Sequence, residues 1–219
     1  MQFDPAFAIE ILPRLLAAIW TTIWVSIAAS LLAALMGLGW ELLRRSGGVI
    51  GACVQFLIDA IRSIPILAQL YFLFFVLPTY GVTLSAYTVG IFSLALYYSS
   101  YLAEVFRAGI DSVGKGQFEA AKSLGLSRVI TLTHVVLPQV FRQIAAPMGN
   151  YFVSLLKSTP YLGVLAVPEM LGAALEIASD TFRYAEPMIM LGILFLALAL
   201  SIAWLVRRLE LRMQRLYER

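Results

Sequence analysis

Few residues of this chain have the types that catalysis needs. It holds one histidine, His134, and one cysteine, Cys53. That leaves no internal disulfide, no Cys-based metal cluster and little for His-rich metal or triad chemistry. Gly109-Ile110-Asp111-Ser112-Val113-Gly114-Lys115 has the spacing of a phosphate-binding loop, but Gly116 stands where such a loop places its Mg²⁺-binding Ser or Thr. The run also follows an apolar stretch instead of a buried strand. Neither nucleotide binding nor a metal site is expected of the chain itself, and no catalytic residue is assigned. His134 reads as a surface or packing residue. The ionisable residue in the least ordinary setting is Lys157, followed by Ser158, Thr159 and Pro160 in otherwise apolar surroundings.

The elements that position these residues follow from composition. Of 219 residues, 61% are hydrophobic and 13% charged, with a mean hydropathy of +0.86. A soluble domain carries roughly 45–50% apolar and about 25% charged residues, and a disordered chain is far more polar. Both classes are excluded, and the chain reads as an integral membrane protein. A spanning helix needs about 20 mostly apolar residues. Leu15–Trp40 is one such run, too long for a signal-peptide core and read as retained. Ser63–Ala103 holds two passes separated by the turn residues Pro78-Thr79-Tyr80-Gly81, and Pro187–Val206 is another. Five spans are expected, at approximately residues 15–40, 52–77, 84–106, 139–158 and 187–207, in one all-α membrane domain over residues 1–219. Asp4–Pro13 is expected to lie along the outer interface before Arg14.

Orientation follows from Lys and Arg. With five spans, Arg44, Arg45, Arg62, Arg107, Lys115, Lys122, Arg128, Arg142, Arg207, Arg208, Arg212, Arg215 and Arg219 fall on one side. The other side receives Arg14, Lys157 and Arg183 with six acids. The N-terminus is therefore expected outside and the C-terminus in the cytoplasm. The net charge of +3 then reflects a basic inner rim beside anionic lipid and not nucleic-acid binding.

The longest polar stretch, Ala103–Gln143, is too short to fold alone. Ser112–Gly116 reads as a turn. Gln117–Leu124 reads as a helix with an apolar stripe at Phe118, Ala121 and Leu124 and an i, i+3 pair at Glu119 and Lys122. Gly125 is a natural terminator and Ser127 a cap for a second helix, which Pro138 interrupts. A short helix–Gly–helix held between spans is a shape suited to docking, and small Ala120 and Ala121 let another backbone approach.

Glu119-Ala120-Ala121, three residues, Gly125, nine residues, then Val135-Val136-Leu137-Pro138 resemble the E-A-A-x3-G-x9-[IV]-x-L-P signature of the membrane subunits of bacterial ABC importers. Ala103-Glu104, Arg107–Ile110 and Gln139 extend the match. Arg62-Ser63-Ile64-Pro65 with Gln69, and Leu155–Thr159, look like the polar amino acid subfamily, similar to histidine, arginine, glutamine and glutamate permeases. The resemblance covers Arg62–Val167 strongly. It implies a type I importer transmembrane domain in the bacterial inner membrane, with a coupling segment at about 109–138. Glu119, Ala120, Ala121, Lys122, Gly125, Leu137 and Pro138 would make the ATPase contact. Implied partners are two ATP-binding subunits that carry ATP and Mg²⁺, a second permease subunit (the same chain or a paralogue) and an extracytoplasmic substrate-binding protein. The chain itself would be no enzyme and bind no cofactor.

The substrate pathway is expected at Lys157, Ser158, Thr159, Glu169 and Gln69. Fifteen helical residues from Arg142 rise about 22 Å, which sets Lys157 in the outer half of a core roughly 30 Å thick. There it either faces a cavity, meeting a substrate carboxylate or Glu169, or snorkels to the headgroups. Lys157-Ser158-Thr159-Pro160 departs from the Asp and Ser common in the subfamily at positions 158 and 160. The substrate class therefore stays open between polar amino acids and compatible solutes or opine-like derivatives. An ATP-independent carrier, an intramembrane enzyme and a transport-incompetent docking subunit are the competing readings.

Overall fold

The computed structural model describes residues 3–217, with side chains through Arg212; Arg219 and the side chain of Arg215 lie outside the described residues. Nine α-helices form among them, and no strand. Helix α1 (Pro5–Arg44) starts where the Asp4 carboxylate accepts hydrogen bonds from the N–H groups of Ala6 (3.0 Å) and Phe7 (3.3 Å), with Pro5 in the first turn. The stretch before Arg14 was expected as a separate interfacial piece; instead it is the opening of α1, which runs on through Pro13. The reason is packing. Ala8, Ile11, Leu15 and Ala18 form a buried stripe. Three of them, Ile11, Leu15 and Ala18, pack with Met170, Ala173 and Ile177 of a later helix. This burial outweighs the hydrogen bond that Pro13 removes.

Helix α2 (Gly48–Ser63) and helix α3 (Ile66–Tyr71) belong to the stretch expected as one span, but the chain bends by 98° between them. Pro65 cannot donate a backbone hydrogen bond and holds Ile64 in the extended region, at φ −89° and ψ 126°. A π-turn over Phe72–Val76 and a 3₁₀ turn over Leu77–Tyr80 follow, closed by Gly81 at φ +85°. Helix α4 (Ala86–Asp111) packs along α1, where small residues let the two backbones meet: Ala29, Ala33 and Ala95 are fully buried, and a Cβ on Gly37 would lie 2.9 Å from the Ser99 carbonyl.

Helices α5 (Lys115–Ser123) and α6 (Arg128–Ile130) form the hairpin after α4. Pro138 was expected to interrupt the second helix. Instead a π-turn over Thr131–Val136 leads directly into helix α7 (Leu137–Ser158). The wider turn absorbs the missing donor and the ring of Pro138 without breaking the chain direction. Helix α7 gives way to a 3₁₀ stretch, Thr159–Leu165, and then to helix α8 (Met170–Thr181) and helix α9 (Ala185–Tyr217). Four of the helices are long and apolar enough to cross a membrane, or five spans if the bent α2–α3 pair counts as one.

Candidate functional site

Three regions hold the residues of interest. The first is the α5–α6 hairpin. Helix α5 ends in a Schellman arrangement: Gly125 at φ +70° donates to the Lys122 carbonyl at 3.0 Å, and Leu126 donates to the Ala121 carbonyl at 3.0 Å. The Ser127 hydroxyl then accepts from the Ile130 N–H at 3.3 Å. The apolar stripe of Phe118, Ala121 and Leu124 divides between core and surface. Ala121 is 3% exposed, whereas Phe118 is 42% and Leu124 77% exposed. Leu126, Val129, Ile130, Leu132 and Leu137 are exposed too. A Cβ on Gly114, Gly116 or Gly125 would meet nothing within 4 Å. The expected Glu119–Lys122 ion pair is not formed among the described residues; only the Glu119 carbonyl is engaged, by the Ser123 hydroxyl at 3.0 Å. His134 is exposed and hydrogen-bonds only its neighbour Thr133 and not a buried group. A small helical hairpin thus presents a greasy, open surface at a polar end of the molecule, which the other described residues do not cover.

The second region lies beside it and was not foreseen. Glu41, 1% exposed, is clamped by Arg44, with an Nε–H contact at 2.9 Å, and by Arg45 at 2.5 Å. Arg44 also donates to Glu104 (2.6 Å) on α4 and to Gln55 (2.8 Å) on α2. Arg45 reaches Asp111, and Arg107 reaches Glu104 at 2.7 Å. In sequence Glu41 reads as a rim charge and Glu104 as the ion-pair partner of Arg107; that pair forms, and both acids are parts of one network tying α1, α2 and α4. Only their wide sequence separation hid this. Farther along α2, the Gln55 amide and the Arg62 guanidinium donate to the Asp59 carboxylate at 2.9 Å and 2.6 Å.

The third region surrounds the broken end of α7. The Ser158 and Tyr98 hydroxyls hydrogen-bond at 2.8 Å. Tyr98 stands twelve residues into α4, about 18 Å from one end and about 20 Å from the other. The link therefore sets Ser158, and Lys157 beside it, level with the middle of α4. Asn150, Ser154, Lys157 and Tyr161 form an exposed polar stripe along α7 and its continuation. Lys157 lines a groove with Ala203, Val206, Arg207 and Glu210 of α9.

Lys157 and Glu169 do not meet. Glu169 is fully buried and caps α8, accepting from the Leu171 N–H (3.0 Å) and the Gly172 N–H (2.7 Å). Thr159 is buried and bonds the Leu156 carbonyl at 2.9 Å. Gln69 sits in the α2–α3 bend, donating to the carbonyls of Ile61 (2.8 Å) and Ile64 (3.2 Å), while its own oxygen is buried without a partner. Lys157 and Ser158 thus share one place, beside buried Thr159; Glu169 and Gln69 hold helix ends. Around Ser158 lies a cluster of Tyr97, Tyr98, Tyr101 and Tyr151, with ring centroids 5.2–6.4 Å apart. The Tyr97, Tyr98 and Tyr101 spacing was its only trace in the sequence.

A family model described as "Binding-protein-dependent transport system inner membrane component" matches residues 26–215. The chain is 41% identical to a probable amino-acid ABC transporter permease protein of Sinorhizobium fredii, over 95% of this chain and 90% of that one. It is 31% identical to the glutamine transport system permease protein of Escherichia coli K12, over 98% and 99% of the two chains. In structure it resembles a crystal structure of an amino acid ABC transporter with histidines, at TM-score 0.87 and 30% identity, covering 97% of this chain and all of the other. It also shares the fold of the MetNI methionine ABC transporter in inward-facing form, with 18% identity and a TM-score of 0.73 over 93% and 98% of the chains. The chain belongs to the family of inner-membrane components of binding-protein-dependent transport systems.

Proposed function

We propose that this chain is the permease subunit of an ATP-driven importer for polar amino acids, and that its α5–α6 hairpin is where the motor subunit grips. The observation that carries the reading is the hairpin surface: exposed Phe118, Leu124 and Leu126, with open space at Gly125, on a rigid element joined to α4 and α7. Arg44 and Arg45 at the end of α1 pair with Glu104 and Asp111 at the end of α4 that leads into the hairpin, and this basic side supports a cytoplasmic position for the hairpin and an extracytoplasmic N-terminus. Glu119, Ala120, Ala121, Lys122, Gly125, Leu137 and Pro138 form or support the contact. ATP and Mg²⁺ belong to two partner ATPase chains, and an external binding protein delivers the substrate.

A polar stripe at mid-bundle is costly against lipid, so Asn150, Ser154, Lys157 and Tyr161 face a pathway shared with a second permease subunit. Interrupted helices at this depth are where transporters place substrates, and the Lys157 ammonium suits an amino acid's carboxylate. ATP-driven closure of the motor favours one of two states of the membrane dimer, and the hairpins transmit that bias.

The test is Gly125→Arg in the complex of permease, ATPase and binding protein reconstituted in liposomes. The added side chain occupies the open space that the motor needs. Expected are normal membrane insertion, at least tenfold weaker retention of the ATPase on the purified permease, and loss of ATP-driven amino acid uptake. Full uptake with the ATPase retained overturns the placement.

A further inference from the structure

Helix α9 carries a stripe that nothing among the described residues covers. Ile193, Leu196, Leu200 and Trp204 are each 55–61% exposed and lie on one side of the helix at three- and four-residue steps. Leu200, Ser201, Trp204 and Leu205 shape a shallow surface trough at its lower end. There the character of the stripe changes abruptly. The Arg208 guanidinium stacks over the Trp204 ring, 3.9 Å from its centroid, and Arg212 follows one turn on; both arginines are exposed. Among the described residues, no carboxylate lies within ion-pair distance of Arg208, whereas Arg44, Arg45, Arg62, Arg107 and Arg183 are all paired.

From Ile193 to Trp204 the helix rises about 16 Å, close to half of a hydrocarbon core about 30 Å thick. The apolar part is therefore one leaflet deep, with a belt-type tryptophan and two cations at its edge. Two occupants fit a membrane-facing stripe: lipid or a second copy of the chain. A two-fold contact between copies through this face would oppose each Arg208 and Arg212 to its own equivalents, like charge against like. Lipid has no such conflict, and an anionic headgroup matches the cations.

We propose that this stripe is a binding site for an anionic phospholipid. Its phosphate sits between Arg208 and Arg212, and one acyl chain lies along Leu200, Leu196 and Ile193. Stacking on Trp204 holds the Arg208 guanidinium at headgroup level before lipid arrives, which lowers the ordering cost of binding. The inference does not depend on which substrate is carried.

The test uses the permease–ATPase complex in mild detergent, titrated with short-chain phosphatidylglycerol or phosphatidylcholine, with bound lipid counted by native mass spectrometry. Wild type is expected to prefer phosphatidylglycerol. Arg208→Gln weakens that lipid about fivefold, as does Arg212→Gln, while phosphatidylcholine binding is unchanged. Trp204→Leu, which keeps both charges, weakens it about threefold. Arg14→Gln, at the other end of the bundle, has no effect. Unchanged phosphatidylglycerol affinity in the Arg208→Gln, Arg212→Gln double variant overturns the proposal, as does equal loss of both lipids. A change in permease copy number in that variant assigns the face to a second subunit and overturns it as well.

Discussion

Removing Arg44 tests the network at the ends of α1, α2 and α4, because the structure grades its two arginines unequally. Arg44 is 11% exposed and holds Glu41, Glu104 and Gln55. Arg45 is 37% exposed and holds Glu41 and Asp111. Losing one partner of a buried pair costs about 3–5 kcal/mol. In Arg44→Met, however, Glu41 keeps Arg45 at 2.5 Å and Glu104 keeps Arg107 at 2.7 Å. Retained partners reduce the expected cost to about 2 kcal/mol. Arg45→Met, nearer water, is expected to cost about 1 kcal/mol. In the double variant the carboxylate of Glu41, 1% exposed, has no cation left, so the cost rises to about 4 kcal/mol. That exceeds the sum of the singles by about 1 kcal/mol, a coupling typical of groups sharing one partner. Adding Glu41→Gln to the double variant should recover most of the loss. The assay is unfolding in detergent titrated with dodecyl sulfate, followed by tryptophan fluorescence. Trp40, the residue before Glu41, is a local reporter, since its Nε1–H donates to Ser99 Oγ at 3.0 Å. Additive single variants, or an Arg45→Met cost equal to that of Arg44→Met, would refute the hub.

Two further outcomes are expected. Lys157→Met should leave assembly and basal ATP hydrolysis intact while cutting amino acid uptake at least tenfold, the scale of one charge-assisted hydrogen bond lost; unchanged uptake at equal expression would mean that the ammonium only snorkels. At the opposite end, Asp4 is held below its ordinary value by the Phe7 N–H and by Arg183, and Glu186 is held below its own chiefly by Arg183. Depressed carboxyls stabilise the fold above their unfolded values, 3.8 and 4.5, and lose that contribution as pH falls through the lower folded values. The melting-temperature gap between wild type and Arg183→Gln should therefore be constant from pH 8 to about 5 and close in stronger acid; a gap that widens in acid contradicts the assignment.

The misread elements share a cause. Pro65 and Pro138 look alike in sequence, yet one accompanies a 98° bend and the other rides through on a π-turn. What differs is the surroundings: Gln69 takes the carbonyls freed at the first break, whereas the wider turn before Pro138 needs no such partner. The Asp4–Pro13 stretch was expected along the outer interface, and Pro13 instead lies inside α1, because burial against α8 appears only once α8 is in place. The tyrosine cluster and the Arg44 hub join residues some 50–60 positions apart, a separation that no local pattern reports.

Membrane residence, the number of apolar stretches, the uneven placement of Arg and Lys, and the Gly125 turn were all readable from residue order. Each depends on transfer free energy or on backbone geometry within a few neighbours, and both are properties of short windows. The contact between Ser158 and Tyr98, the bend after Ser63, the pairing of Glu41 and the separation of Glu169 from Lys157 were decided by tertiary structure alone. They depend on which helix faces which, and that is settled by packing across the whole bundle.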